Sequence, residues 1–343
     1  MRKEKRTSLK DVANSIGVST TLVSIVLNGK SEQYRIGEDM TKRVIAAAQE
    51  MNYSPNLVAR NLRGGKTQLI GLIVTDISNP FFSSVARIIE NRAKELKYTV
   101  VYGSSDENSN NTKQLIDVLL NKGVDGFIIV PCDGSQDIIK ELHESGTPVV
   151  LIDRYFPEMD LSFSCLNNVK ATELAVRHLI EQGYKNISLL AYKSQMSNVL
   201  DRIEGYESTM KLEGLSKFIN IKYINITNPK PDVNKALEFL INKRKTEAII
   251  FTTNTLSILG LYYMNNMNLR IPDDIAVIGF DGNDVFDLFY SPITHVEQPV
   301  MQIAQAAVNI LIEKIKNSEQ ATRSMVIIEP ELVIKESSLR KSI

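Results

Sequence analysis

The sequence is short of the residues that catalysis and metal binding draw on. It has three histidines, His143, His178 and His295, and two cysteines, Cys132 and Cys165. The two cysteines stand far apart, which excludes a disulfide framework or a clustered thiolate metal site. They read as small buried hydrophobes in a protein of the reducing cytoplasm. No histidine has a ligand-type partner at helical spacing, so all three read as structural or surface residues and no metal is expected. The motifs G-x-S-x-G, G-x-G-x-x-G and Cys-x-x-Cys are all missing, so neither an enzyme nor a cofactor protein is expected. No apolar run approaches the roughly 18 residues that cross a bilayer. The charged start M-R-K-E-K-R-T-S leads into no apolar segment, so it does not read as an export signal.

Charge of one sign is also lacking overall, because 40 Lys and Arg balance 40 Asp and Glu. That balance conceals an asymmetry. Residues 1–66 carry twelve basic and six acidic side chains, so the remainder is acidic by the same margin. A basic head on an acidic body suits a polyanion-binding module joined to something else. A length of 343 residues exceeds one ordinary domain.

What the head does contain is a helix-turn-helix pattern at 8–28. Ser8 caps a first helix, with Asp11 as its capping-box partner. Val12, Ala13 and Ile16 form the apolar side. Gly17 supplies the turn, where positive φ is cheap only for glycine. Ser19 caps a second helix. Its residues Val23, Val26 and Leu27 face inward, while Thr20, Thr21, Ser24, Ile25 and Asn28 share the outer face. Such a face reads the major groove of double-stranded DNA. An ordinary helical hairpin is the alternative. A third helix is expected at about 38–51.

The segment S-P-N-L-V-A-R-N-L-R-G-G-K-T follows. Pro55 opens a helix of about 55–62 that Gly64 and Gly65 end. It is too short to hold alone in water. With Asn56, Ala59, Arg60 and Leu62 it reads as a minor-groove element, Leu62 wedging between base pairs. A plain linker is the alternative.

From about residue 68 short apolar runs alternate with amphipathic stretches. Strands are expected near 69–74, 98–102, 125–130, 148–152, 186–191, 221–226, 247–252 and 275–280. Helices fill the gaps, near 80–96, 110–122, 135–145, 168–182, 202–213, 232–243, 255–267 and 299–317. Apolar strands alternating with helices predict parallel sheets covered on both faces, and their number predicts two doubly wound lobes. Ligands in such folds bind beyond the carboxyl ends of the strands. The polar and aromatic residues there are Asp76, Ser78, Asn79, Phe81, Phe82, Asp153, Arg154, Asn254, Thr255 and Asp281. Carboxylates, an amide, a guanidinium and aromatics together suit a polyhydroxylated ligand.

Four segments and a short ending resemble the lactose-repressor (LacI) family of bacterial transcription regulators, in order and over nearly the whole chain. Leu9 to Asn28 is similar to the family's L-x-D-V-A-x-x-A-G-V-S-x-x-T-V-S-R-V-L-N. Tyr53 to Asn56 with Ala59 to Leu62 resembles its hinge helix. Residues 70–82, I-G-L-I-V-T-D-I-S-N-P-F-F, resemble its core entry. Residues 271–281, I-P-D-D-I-A-V-I-G-F-D, are a further hallmark, and Lys335-Glu336-Ser337-Ser338 resembles its ending.

The resemblance implies an all-α helix-turn-helix head (1–53), a hinge helix and linker (54–66), and an α/β effector-binding core (67–343). That core would have two lobes like a periplasmic sugar-binding protein. The N-lobe is expected at about 67–164 and 296–324, the C-lobe at about 165–295 and 325–343. The resemblance also implies a homodimer on a near-palindromic operator, with a small-molecule effector, most commonly a sugar, between the lobes. Asp153, Arg202, Asn254 and Asp281 fall at family ligand positions, Arg202 through the match to R-x-x-G-Y. A regulator of this fold answering to a partner protein, or a stand-alone sugar-binding protein, are the alternatives.

Departures from the family pattern fall at both ends of the mechanism. Leu22 stands for a threonine. Ile25 stands for the arginine of the second helix, so guanine pairing gives way to contact with a thymine methyl. Asn254-Thr255 replaces Asn-Asp, and Asn167-Asn168 stands where Asp-Asn is common. No heptad-bearing extension follows residue 338, which favours a dimer over a tetramer.

Overall fold

A computed structural model of the chain describes residues 7–53, 66–317 and 322–340. The chain divides into two compact units, Met1–Thr67 and Gln68–Ile343.

The first unit holds α1 (Leu9–Ile16), α2 (Thr20–Leu27) and α3 (Glu38–Glu50). Ser8 Oγ accepts from the Asp11 amide at 3.3 Å, and the Asp11 carboxylate accepts from the Ser8 amide at 2.8 Å. Gly17 sits at φ +72°, a left-handed turn that ends α1. Ser19 Oγ accepts from the Leu22 amide at 3.2 Å and opens α2. Val12, Ala13, Val23, Val26 and Val44 are buried where the three helices meet.

The second unit is built on two six-stranded sheets with the same strand pattern. The first contains β1 (Leu69–Val74), β2 (Thr99–Ser104), β3 (Gly126–Ile129), β4 (Val149–Ile152) and β5 (Ser162–Leu166). The second contains β6 (Ile187–Tyr192), β7 (Ile221–Ile224), β8 (Ala248–Phe251), β9 (Ala276–Phe280) and β10 (Thr294–Glu297). Two late strands complete them. β11 (Met325–Ile328) joins the first sheet in parallel beside β5. β12 (Glu331–Val333) joins the second, antiparallel to β10. The orders are β11-β5-β4-β3-β1-β2 and β12-β10-β9-β8-β6-β7. In each sheet the order reverses at one strand, β1 or β6, and the crevice beyond the strand ends at such a point is where α/β folds take ligands.

The covering helices are α4 (Pro80–Glu95), α5 (Ser109–Asn121), α6 (Gln136–Glu144), α7 (Asn168–Glu181), α8 (Ser197–Leu212), α9 (Pro229–Asn242), α10 (Asn254–Asn266), α11 (Asp284–Leu288) and α12 (Val300–Lys316). Among the described residues no helix is long and apolar enough to cross a membrane.

The parallel sheets and two lobes match the sequence expectation, with four corrections. Strands β5, β10, β11 and β12 were not expected, because β5, β10 and β12 carry polar residues and β11, M-V-I-I, is an apolar run of only four residues. β5 reads S-F-S-C-L, and its Ser162 and Ser164 are buried despite their hydroxyls. The lobe boundaries at 164/165, 295/296 and 324/325 also shift, since Val296 and Glu297 pair within the second sheet. Cys165 and Leu166 belong to the first sheet, and so does β11, so the chain passes to the C-lobe after Leu166 and again after Ile328. α8 begins at Ser197, more than a turn before the expected start at 202. The short α11 was not expected at all. The proposed helix at 55–62 lies outside the described residues.

Two family-like segments have plain structural reasons. Gly205, in Arg202-x-x-Gly205-Tyr206, is where α8 meets the start of α7, and a Cβ there would overlap the Val169 carbonyl oxygen. Ser337 and Ser338, near the C-terminus, are buried. Ser337 Oγ donates to the Val277 carbonyl at 2.7 Å, and Ser338 Oγ lies 2.7 Å from His178 Nε2. Both cysteines are buried. His178 and His295 are buried and His143 is exposed.

Candidate functional site

The ends of both sheets face each other across a cleft of about 530 Å³, within the range of small-molecule sites. Loops after β1, β2 and β4 supply one wall. Loops after β6, β7, β8, β9 and β10, with the first turns of α8, supply the other. Asp153 follows β4 and Asp281 follows β9, third strands of the two matching sheet orders. Both have left-handed backbones, φ +69° and +59°, a conformation that aspartate tolerates better than most residues.

Arg202 rises from α8 and is buried in the cleft wall. Its guanidinium carbon sits 3.8 Å from the centre of the Phe280 ring. Its Nε donates to Asn168 Oδ1 at 2.8 Å, and Nη1 donates to the Thr252 carbonyl. Nη2 is buried without a partner. Burial pulls the Arg202 pKa below its ordinary value, opposed by Asp281 and Asp153; an arginine remains charged even so.

Asp281 accepts from Gln298 Nε2 at 2.6 Å through its carboxylate, and its carbonyl accepts from Asn254 Nδ2 at 2.9 Å. Burial pushes its carboxyl up to about 6, against the pull of Arg202. Burial likewise raises the Asp153 pKa, opposed by Arg154 and Arg202. Asp153 also accepts from Asn198 Nδ2 at 3.3 Å, a bond that crosses between the lobes. Asn198 Oδ1 and Gln298 Oε1 are buried without partners. Unmatched buried polar groups cost free energy, and a ligand bearing donors and acceptors relieves it.

Of the residues expected here, Phe81, Phe82, Asp153, Arg154, Arg202, Asn254 and Asp281 all line the cleft, as do Asp76, Asn79 and Thr255. Ser78 does not. Its hydroxyl turns back to donate to Asp76 Oδ1 at 2.7 Å, so it closes the turn before α4. Glu107, Tyr192, Asn198 and Gln298 were missed. Asn198 was hidden by the late start assigned to α8, and Gln298 by the unrecognised β10. Asn168, which keeps the asparagine of the family's Asp-Asn pair while Asn167 stands for its aspartate, is what orients Arg202.

In the head, Thr20, Thr21 and Asn28 are exposed, and Ser24 and Ile25 are half-buried on the same side of α2. Asn28 Nδ2 donates back to the Ser24 carbonyl at 2.7 Å. Asn56, Ala59, Arg60 and Leu62 lie outside the described residues. No group of three or more His, Cys, Asp or Glu among the described residues could hold a metal ion.

Residues 67–336 match the model for periplasmic binding proteins and the sugar binding domain of the LacI family. Residues 8–56 match bacterial regulatory proteins of the lacI family. The chain is 30% identical over 332 residues to an HTH-type transcriptional repressor PurR of Photobacterium profundum, covering 96% of this chain and 98% of that one. It is 29% identical over 334 residues to the HTH-type transcriptional regulator RegA of Clostridium saccharobutylicum, covering 97% and 99%. Among solved structures it is similar to the Lac repressor dimer bound to operator and the anti-inducer ONPF, with TM-score 0.84, 23% identity, and 98% and 100% of the two chains covered. It is also similar to the transcriptional regulator CelR in complex with cellobiose, with TM-score 0.70, 23% identity and 97% and 100% coverage. These two likenesses speak to fold. The family models, one of them spanning most of the chain and the other the head, settle the relationship: the chain belongs to the LacI family of bacterial regulatory proteins.

Proposed function

We propose that this chain is a sequence-specific transcriptional repressor that binds a near-palindromic operator as a homodimer and is controlled by a polyhydroxylated small molecule in the interlobe cleft. The observation that carries the effector reading is the pairing of Asp153 with Asp281 across Arg202. Two carboxylates from opposite lobes flank a buried guanidinium whose Nη2 amino group is unpartnered. Vicinal hydroxyls donate to carboxylates and accept from that amino group. Bonds to both walls at once tie the position of one lobe to the other. The named relatives are transcriptional regulators, which supports regulation rather than catalysis. CelR in its cellobiose complex supports a sugar as the occupant.

On the DNA side, Thr20, Thr21, Ser24, Ile25 and Asn28 read base edges, and the 54–66 segment acts as hinge. Ile25 sets a preference for thymine where an arginine would choose guanine. The test is selection of the full chain against randomised palindromic duplexes at low salt, then operator titration with a panel of pentoses, hexoses and disaccharides. Selection of one half-site sequence, and a shift in its affinity by a panel sugar, are expected. Indifference to every duplex overturns the regulator reading. A selected operator that no sugar affects overturns the effector reading alone.

A further inference from the structure

The cleft's charges are unevenly matched. Asp76, Asp106, Glu107, Asp153 and Asp281 line it against only Arg154 and Arg202. The two guanidiniums are also differently committed. Arg154 Nη1 and Nη2 donate to Glu107 Oε2 and Oε1 at 2.8 and 2.7 Å, a two-pronged pair that uses both ends of the fork. Nη1 reaches the Pro131 carbonyl at 3.2 Å as well, and Nε lies 3.4 Å from Asp153 Oδ2. Side-chain exposure is 12% for Arg154 and 22% for Glu107, so water screens the pair little. Arg202 offers a free Nη2 amino group, beside two carboxylates.

We propose that Glu107 is the specificity residue of this cleft: by closing on Arg154 it withdraws the less buried of the two cleft cations and makes the cleft refuse phosphorylated and other anionic ligands. The occupant is then an uncharged polyol. A phosphate needs donors in excess, and an arginine fork is its best partner. Here the fork is already filled by a carboxylate of matching geometry. A dianionic group entering would meet Glu107, Asp153 and Asp281 at short range, in surroundings where like charges repel strongly. Burial opposes the charge on Arg154, but Glu107 outweighs it and raises the pKa, so the guanidinium stays charged. This inference rests on the cleft being the effector site, and deepens that reading.

The test uses the full chain, with inorganic phosphate as the probe and chloride of equal ionic strength as the control. Phosphate is expected to leave the melting temperature of the parent unchanged relative to Arg154→Met. It is expected to raise that of Glu107→Gln by about 2 °C or more. The double variant Glu107→Gln/Arg154→Met should lose the rise, which separates the cleft from the basic head. A Glu107→Gln variant that responds no more than the parent overturns the proposal. So does a phosphate response of the parent that Arg154→Met lacks, and this arm decides alone should Glu107→Gln not fold. In a parallel arm, sugars and their 6-phosphates are compared on the parent. A phosphate ester that stabilises more than its neutral sugar overturns the proposal while leaving the effector reading intact. Failure of every neutral sugar overturns the effector reading, and the phosphate arms still decide the role of Glu107.

Discussion

Asp281 and Arg202 concentrate the chemistry of the cleft. A hydrogen bond to an ionised group contributes about 1.5–3 kcal/mol, so Asp281→Asn is expected to weaken effector binding about 10- to 100-fold. Titration of the effector against a labelled operator complex measures this. Arg202→Ala should abolish the effector response while operator binding persists. Unchanged effector titrations in both variants would remove these residues from the site. Asp281 also makes a pH prediction. Its folded pKa of about 6 lies above the unfolded value of about 4. The native state therefore holds the extra proton between those values, and this group's contribution to stability falls as pH rises from about 4 to 6, then stays flat. The stability difference between parent and Asp281→Asn, from urea unfolding across that range, should follow this slope. A difference independent of pH would contradict the burial argument. Effector affinity should move the opposite way, weakening below about pH 6 as the carboxylate that accepts from hydroxyls is lost.

Helices and strands carry a second set of consequences. Ser19→Ala removes the side-chain cap of α2 and is expected to cost the head about 1 kcal/mol, read as a lower unfolding midpoint and weaker operator binding. Gly205→Ala forces a methyl against the Val169 backbone, which cannot swing aside as a side chain does. A loss of about 1–3 kcal/mol in the core is expected, and an unchanged urea midpoint would show that α7 and α8 have slack. Legibility at this scale followed hydrophobicity. β1, β3, β4, β8 and β9 are continuous apolar runs and were readable. β5 was not, because Ser162 and Ser164 interrupt its apolar run, and Ser162 finds a partner only across the sheet, its Oγ accepting from the Ser324 amide at 2.9 Å. The edge strand β11 alternates exposed and half-buried residues over only four positions, too few for a period to declare itself.

At the scale of the whole molecule, regulation is a coupling between cleft and operator. Such couplings are typically about 1–3 kcal/mol, or roughly 5- to 150-fold in affinity, and they are reciprocal for binding. Operator DNA should therefore change effector affinity by the factor that effector changes operator affinity. Unequal factors in paired titrations would mean that the two equilibria do not share one pair of states. Leu62→Ala is expected to lose operator affinity while effector binding survives, and equal operator affinity in the two proteins counts against the wedge.

The sequence by itself determined the helix-turn-helix head, the two parallel lobes, the family and most of the cleft. Each of these is written in local signals: caps, glycines, apolar runs and residues at strand ends. Tertiary structure alone decided the rest. It paired Glu107 with Arg154 and Asn168 with Arg202. It turned Ser78 away from the cleft and sent β11 and β12 to different sheets. Most of these outcomes depend on contacts between residues tens to hundreds of positions apart, and no local period or propensity records which distant partner a charged or polar side chain will meet.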